Sequence, residues 1–126
     1  MRGDIWEGWI AMQVIEQAGR YTPAKDGEPN HWIEHLVSRD LSVGTYSVPA
    51  GGLDDQDPHT EDEIYVVRAG TATLVTDSGT AEVGPGSVIF VPAHERHQFT
   101  NVDGDLALLV IFAPPEGSRR RAESPG

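Results

Sequence analysis

The feature that most constrains this chain is how short its apolar runs are. Between positions 32 and 112 each run is soon closed by Gly, Pro, Asp or Ser. The runs fall at 32–37, 41–48, 63–68, 71–76, 80–83, 87–91, 97–100 and 106–112. Their β-branched and aromatic content is that of strands. Asp77-Ser78-Gly79 reads as a hairpin turn and Gly84-Pro85-Gly86 as another turn. No segment between the runs is long and periodic enough for a crossover helix. An antiparallel sandwich or barrel is therefore predicted rather than a parallel sheet. The run 106–112, Leu-Ala-Leu-Leu-Val-Ile-Phe, is apolar on both faces and should be a central buried strand.

The chain has 126 residues, which suits one domain. Residues 1–30 read as an irregular N-terminal extension. Within it Trp6, Trp9, Ile10, Val14 and Ile15 suit either a short helix or an edge strand, and 21–30 is loop. Met12 is an alternative start. Trp6, Trp9 and Ile10 make an apolar segment that needs cover, so the extension is read as a dimer arm and the protein as a homodimer. Residues 31–115 form the barrel. Residues 116–126 are rich in Gly, Ser, Arg and Pro and read as a disordered tail, with Arg119, Arg120 and Arg121 as solvated charges.

The absence of cysteine excludes disulfides, thiolate catalysis and iron–sulfur clusters. The formal net charge of −11 makes nucleic acid an unsuitable partner. No apolar run approaches the ~20 residues of a membrane span, and no membrane partner is expected. The first residues lack the apolar core and cleavage site of a signal peptide, so a cytoplasmic location is expected.

Chemistry concentrates around one Gly- and acid-rich loop. It reads Gly51-Gly52-Leu-Asp-Asp-Gln-Asp57-Pro58-His59-Thr-Glu-Asp-Glu63. On an extended chain Asp57, His59 and Glu63 share a face, although Pro58 and the polar run before Glu63 can break that parity. Within the strand that follows, Glu63, Tyr65 and Val67 should point the same way, into the barrel. A carboxylate heading an inward apolar row needs a partner, because a lone buried charge is very costly. A metal ion with imidazole neighbours is one such partner.

Two spaced motifs lie on these residues. The first is Gly51, five residues, Asp57-Pro58-His59, three residues, Glu63, six residues, Gly70. The second is Gly86, five residues, Pro92-Ala93-His94, two residues, His97, three residues, Asn101. Together they resemble the paired motifs of the cupins, over roughly residues 41–112. The resemblance implies an all-β fold, an antiparallel double-stranded β-helix or jelly-roll barrel. It also implies that His59, Glu63 and His97 hold one divalent metal ion. Fe2+ is favoured, with Zn2+, Mn2+, Ni2+ and Cu2+ as alternatives. Two departures stand out: Asp57 occupies the place of the family's usual first His ligand, and His94 that of a usual Gly.

The physical reading agrees with the resemblance. Two imidazoles and one carboxylate make the facial triad of non-haem iron sites, with positions left open. Asp57 is a candidate fourth ligand, a holder of metal-bound water, or a turn residue pointing away. A second carboxylate would neutralise the ion, whereas a single one leaves the site near +1. Asp57, Tyr65 and His94 are the candidate catalytic groups for moving a proton. His31 and His35 are expected on the surface of an edge strand. Tyr46, Tyr65, Phe90 and Phe99 are expected in the core or lining the cavity, and Arg96 and Gln98 on the face opposite His97. The function expected is a metalloenzyme acting on a small organic molecule. An oxygenase-type reaction is preferred, with a redox-neutral isomerase, cyclase or lyase close behind. The alternative is a non-catalytic sensor or carrier that binds a small molecule.

Overall fold

The computed structural model describes residues 12–119, which form six strands. These are β1 (His31–Val37), β2 (Ser42–Val48), β3 (Asp62–Thr76), β4 (Gly79–Val83), β5 (Val88–Val91) and β6 (His97–Ala113). All pairings are antiparallel, in the order β1-β2-β6-β3-β4, with β5 on the free side of β3. The expected N-terminal dimer arm at Trp6, Trp9 and Ile10 lies outside the described residues. No helix among them is long and apolar enough to cross a membrane.

The long strands are where the fold departs from the sequence reading. Runs 63–68 and 71–76 join into β3, and 97–100 and 106–112 join into β6. The breaks between them are corners rather than turns. β3 and β6 pair along their length, with register shifts between Val67 and Thr73. Gly70 stands at the corner with φ +79°, a conformation glycine adopts without steric cost. Gly104 (φ +71°) sits opposite, so two bulged strands bend together and stay paired.

The inward rows follow strand alternation. Glu63, Tyr65 and Val67 are buried while Ile64 faces out. Leu106, Leu108, Val110 and Phe112 fill the interior from β6, which is flanked by β2 and β3 as its two-sided apolar character requires. The Trp32 indole packs against Gly44, where any Cβ would fall 2.2 Å from it. Its edge meets Phe112, with ring centroids 6.2 Å apart. Phe90 was expected in the core but is 60% exposed, because β5 turns Val91 inward and leaves Val88 and Phe90 outside. His35 lies on the edge strand as expected, half-buried, with Nε2 2.6 Å from the Thr45 hydroxyl.

Residues 116–119, within the segment read as a disordered tail, are held in place. The backbone N–H groups of Gly117 and Arg119 donate to the buried Glu61 carboxylate at 2.8 and 3.0 Å, and that of Glu116 donates to Ser42 Oγ at 2.9 Å.

Candidate metal centre

The loop that delivers His59 is organised by one buried carboxylate. Asp54 is 1% exposed. Its Oδ1 accepts from the Tyr46 hydroxyl at 2.7 Å, and its Oδ2 from the Phe99 N–H at 2.8 Å and the Gln56 amide at 3.0 Å. Its backbone carbonyl accepts from the Gln98 amide at 2.8 Å. These bonds tie residues 54–56 to β2 and β6, which satisfies a charge that would otherwise be costly to bury.

His97 opens β6 and is oriented from outside. Its Nδ1 lies 2.9 Å from the Glu95 carbonyl oxygen, which can only accept, so Nδ1 carries a proton. In the neutral ring Nε2 then offers a lone pair inward, 3.1 Å from Glu63 Oε1 and 3.1 Å from the Tyr65 hydroxyl. Glu63, heading the inward row of β3, is 2% exposed. Its Oε1 is buried, and beside a neutral His97 protonated on Nδ1 it has no donor; only a His97 also protonated on Nε2 reaches it, at 3.1 Å. His59 stacks edge-on to Phe112, with centroids 4.7 Å apart, and its carbonyl accepts from the His94 N–H at 2.7 Å.

His59, Glu63 and His97 each offer one ligand atom, and these atoms all lie within 4.8 Å of one another. Two imidazole nitrogens and one carboxylate oxygen are a suitable donor set for a divalent first-row ion. The fit rests on the buried Glu63 oxygen. A cation between these groups would take the place that a protonated His97 holds beside this buried carboxylate.

Titration follows the same geometry. Burial alone would lower the His97 pKa, but the bond to Glu63, the Glu95 carbonyl and the nearby carboxylate charges outweigh it and raise the pKa. Burial raises the Tyr65 pKa far above its ordinary value, and the Glu63 and Asp54 charges add to this, so Tyr65 stays a phenol. One prediction concerns metal-free protein. A raised folded-state pKa means that protonated His97 stabilises the fold fully below its unfolded value of 6.5 and loses that contribution as pH rises through the folded value. With chelator present, the unfolding free-energy gap between wild type and Glu63→Gln should shrink as pH rises above about 6.5 and through the raised His97 value in urea titrations. A gap that does not change would contradict the pairing.

His59, Glu63 and Tyr65 line a cavity of about 190 Å³. Its walls include Trp32, Tyr46, Tyr65 and Phe112, with Gln56 and Asn30 as polar points. Tyr65 is thus brought to the centre as expected. The other two catalytic candidates are not. Asp57 is exposed and lies outside the cluster, because the chain before β3 is loop and the strand parity of Glu63 does not extend back through Pro58. His94 is also exposed, with φ 71°. That left-handed backbone is what a glycine would adopt most easily, and histidine tolerates it better than most residues. The position serves through its N–H on the His59 carbonyl. Arg96 and Gln98 are exposed opposite His97, as alternation predicted. Gln56 and Asp54 were missed. Nothing in Asp54-Asp55-Gln56-Asp57 distinguishes the residue that turns inward.

Comparisons with known proteins agree with this architecture. The family model described as the cupin domain matches residues 44–112. The uncharacterized protein SCO3923 of Streptomyces coelicolor is 42% identical over 93 residues, covering 74% of this chain and 86% of that one. A solved RmlC-like cupin protein from Desulfovibrio desulfuricans is 20% identical with a TM-score of 0.67, covering 82% of this chain and 99% of that one. A salicylate 1,2-dioxygenase from Pseudoaminobacter salicylatoxidans shares the fold at 15% identity and a TM-score of 0.63, covering 71% of this chain and 26% of that one. On the domain matched over residues 44–112, with a fold shared with solved cupins, the chain belongs to the cupin family.

Proposed function

We propose that this protein is a metal-dependent enzyme acting on a small organic molecule, with His59, Glu63 and His97 as metal ligands and Tyr65 as the proton-moving group. The observation that carries the reading is the buried Glu63 oxygen gathered with the His59 and His97 imidazoles, beside an aromatic cavity that His59 and Glu63 line. A divalent ion held there would polarise a substrate oxygen as a Lewis acid. Trp32 and Phe112 supply apolar walls that exclude water and seat a flat or short ligand. The Tyr65 hydroxyl, held as a phenol beside the cluster, is placed to donate a proton to that substrate oxygen. Its low acidity disfavours a resting phenolate, so it begins each cycle as the acid. This supports a redox-neutral reaction: isomerisation, cyclisation or β-elimination.

Oxygen chemistry at a ferrous ion is the second reading. The two-histidine, one-carboxylate set favours it, because such sets leave positions open beside the substrate. Tag-free protein loaded in turn with Fe2+, Zn2+, Mn2+, Ni2+ and Cu2+ would be assayed against small keto and hydroxy compounds, in air and under argon. Turnover under argon supports the first reading, and dioxygen uptake at an electrode supports the second. Bound metal and bound ligand without turnover would make the protein a sensor or carrier. Once a substrate is found, Tyr65→Phe should lower kcat by about 10²–10⁴-fold with little change in metal content. An unchanged kcat would remove Tyr65 from the chemistry.

A further inference from the structure

We infer that the side-chain carbonyl of Gln56 is a fourth protein ligand of the metal centre, in the role the sequence suggested for Asp57. The inference rests on the metal reading above.

The orientation of the Gln56 amide follows from its neighbour. Nε2 lies 3.0 Å from Asp54 Oδ2, an oxygen that can only accept from an amide, so the NH2 end belongs there. Asp54 is itself locked by Tyr46 and Phe99 and cannot swing away. Oε1 must therefore point at the cluster. Without a metal it accepts from the His59 Nε2–H at 3.1 Å and from the Tyr65 hydroxyl at 3.0 Å.

The spacing is what neighbouring donors on one ion require. With a metal–donor distance of about 2.1 Å, two donors at right angles stand about 3.0 Å apart. His97 Nε2 and Glu63 Oε1 are 3.1 Å apart, and so are His59 Nε2 and Gln56 Oε1. A carbonyl oxygen has two lone pairs: one accepts from the Tyr65 hydroxyl, and the one that accepts from His59 Nε2–H would turn to an ion that displaces that proton. Asp57, two residues from His59, is exposed and lies outside the three-residue ligand cluster. The result is two imidazoles, one carboxylate and one neutral oxygen. That keeps the site near +1 and raises its oxygen share, which suits manganese and iron better than an all-imidazole set would. Asp54 is then a positioning residue, setting which end of the amide reaches the centre.

The test uses full-length, tag-free protein titrated with Co2+, followed by visible absorption, and with Zn2+ in competition. Gln56→Leu should bind both ions about 10–100-fold more weakly and change the cobalt spectrum, while Asp57→Ala should match wild type. Gln56→Leu binding within about twofold of wild type with an unchanged spectrum overturns the inference and leaves the metal reading intact; loss in Asp57→Ala instead does the same. Wild type that binds neither ion overturns both. If Gln56→Leu fails to fold by circular dichroism, a crystal structure of zinc-loaded wild type decides. Gln56 Oε1 within about 2.3 Å of zinc supports the assignment, and a water in its place overturns it.

Discussion

His97→Ala should empty the centre of metal and weaken the fold even without one. The two effects share a cause. His97 Nε2 is the group facing Glu63 Oε1, at 3.1 Å, with both side chains almost fully buried. Removing the imidazole takes away a ligand, so affinity for Zn2+ should drop by more than the roughly 10–100-fold typical of losing a supporting residue. It also strands Glu63 in an apolar row between Phe112 and Val91, its cross-strand neighbours. Breaking a buried pair from one side typically costs about 3–5 kcal/mol. Glu63 would then take up a proton to escape its charge, so the loss should be smaller in acid than at neutral pH. Metal content by mass spectrometry and urea unfolding in chelator measure the two effects separately. Retained stoichiometric metal in His97→Ala would sink the assignment of this ligand. An unchanged urea midpoint would mean that the Glu63 carboxylate has another partner in solution.

Gly70→Ala should destabilise the protein strongly, although it adds one methyl group far from the ligands in sequence. The position has φ +79°, and an added Cβ would lie 2.7 Å from the Asp105 carbonyl oxygen and 2.8 Å from the Leu106 Cα. Those contacts are backbone, so no rotamer change relieves them. The left-handed conformation costs an alanine about 1–2 kcal/mol, and forcing atoms into a packed site adds roughly 1–3 kcal/mol. Each kcal/mol should lower the Tm by roughly 4 °C for a domain of this size. The corner matters because it lets β3 carry Glu63 and Tyr65 on one half while its other half pairs with β4 and the start of β6. A thermal melt of Gly70→Ala indistinguishable from wild type would show that the corner tolerates an ordinary residue.

Much of this was legible in the sequence, and the places where it was not have a common cause. Alternation placed Glu63, Tyr65 and Val67 on one inward row and Arg96 and Gln98 away from His97, because period-two patterning is a property of the local backbone. The same rule misplaced Phe90, since a half-exposed strand at the margin of a sheet can turn a large apolar residue outward. The breaks at Gly70 and Gly104 looked like turns, because glycine punctuates turns and bulged corners alike.

Asp57 and Gln56 show the limit most clearly. Both lie in a loop, where parity has no meaning, and only the hydrogen bonds of Asp54 to Tyr46, Phe99 and Gln56 decide which side chain turns inward. Those partners are far apart along the chain and meet only when β2, β6 and the loop are assembled. The sequence alone thus determined the strand pattern, the family and the three metal-ligand candidates, each set by local periodicity or fixed spacing. The tertiary structure decided the pairing of Glu63 with His97, the proton on His97 Nδ1, the placing of Tyr65 beside both, and the contacts of Gln56 with His59 and Tyr65. Each of these depends on contacts between residues distant in the chain, which no local pattern encodes.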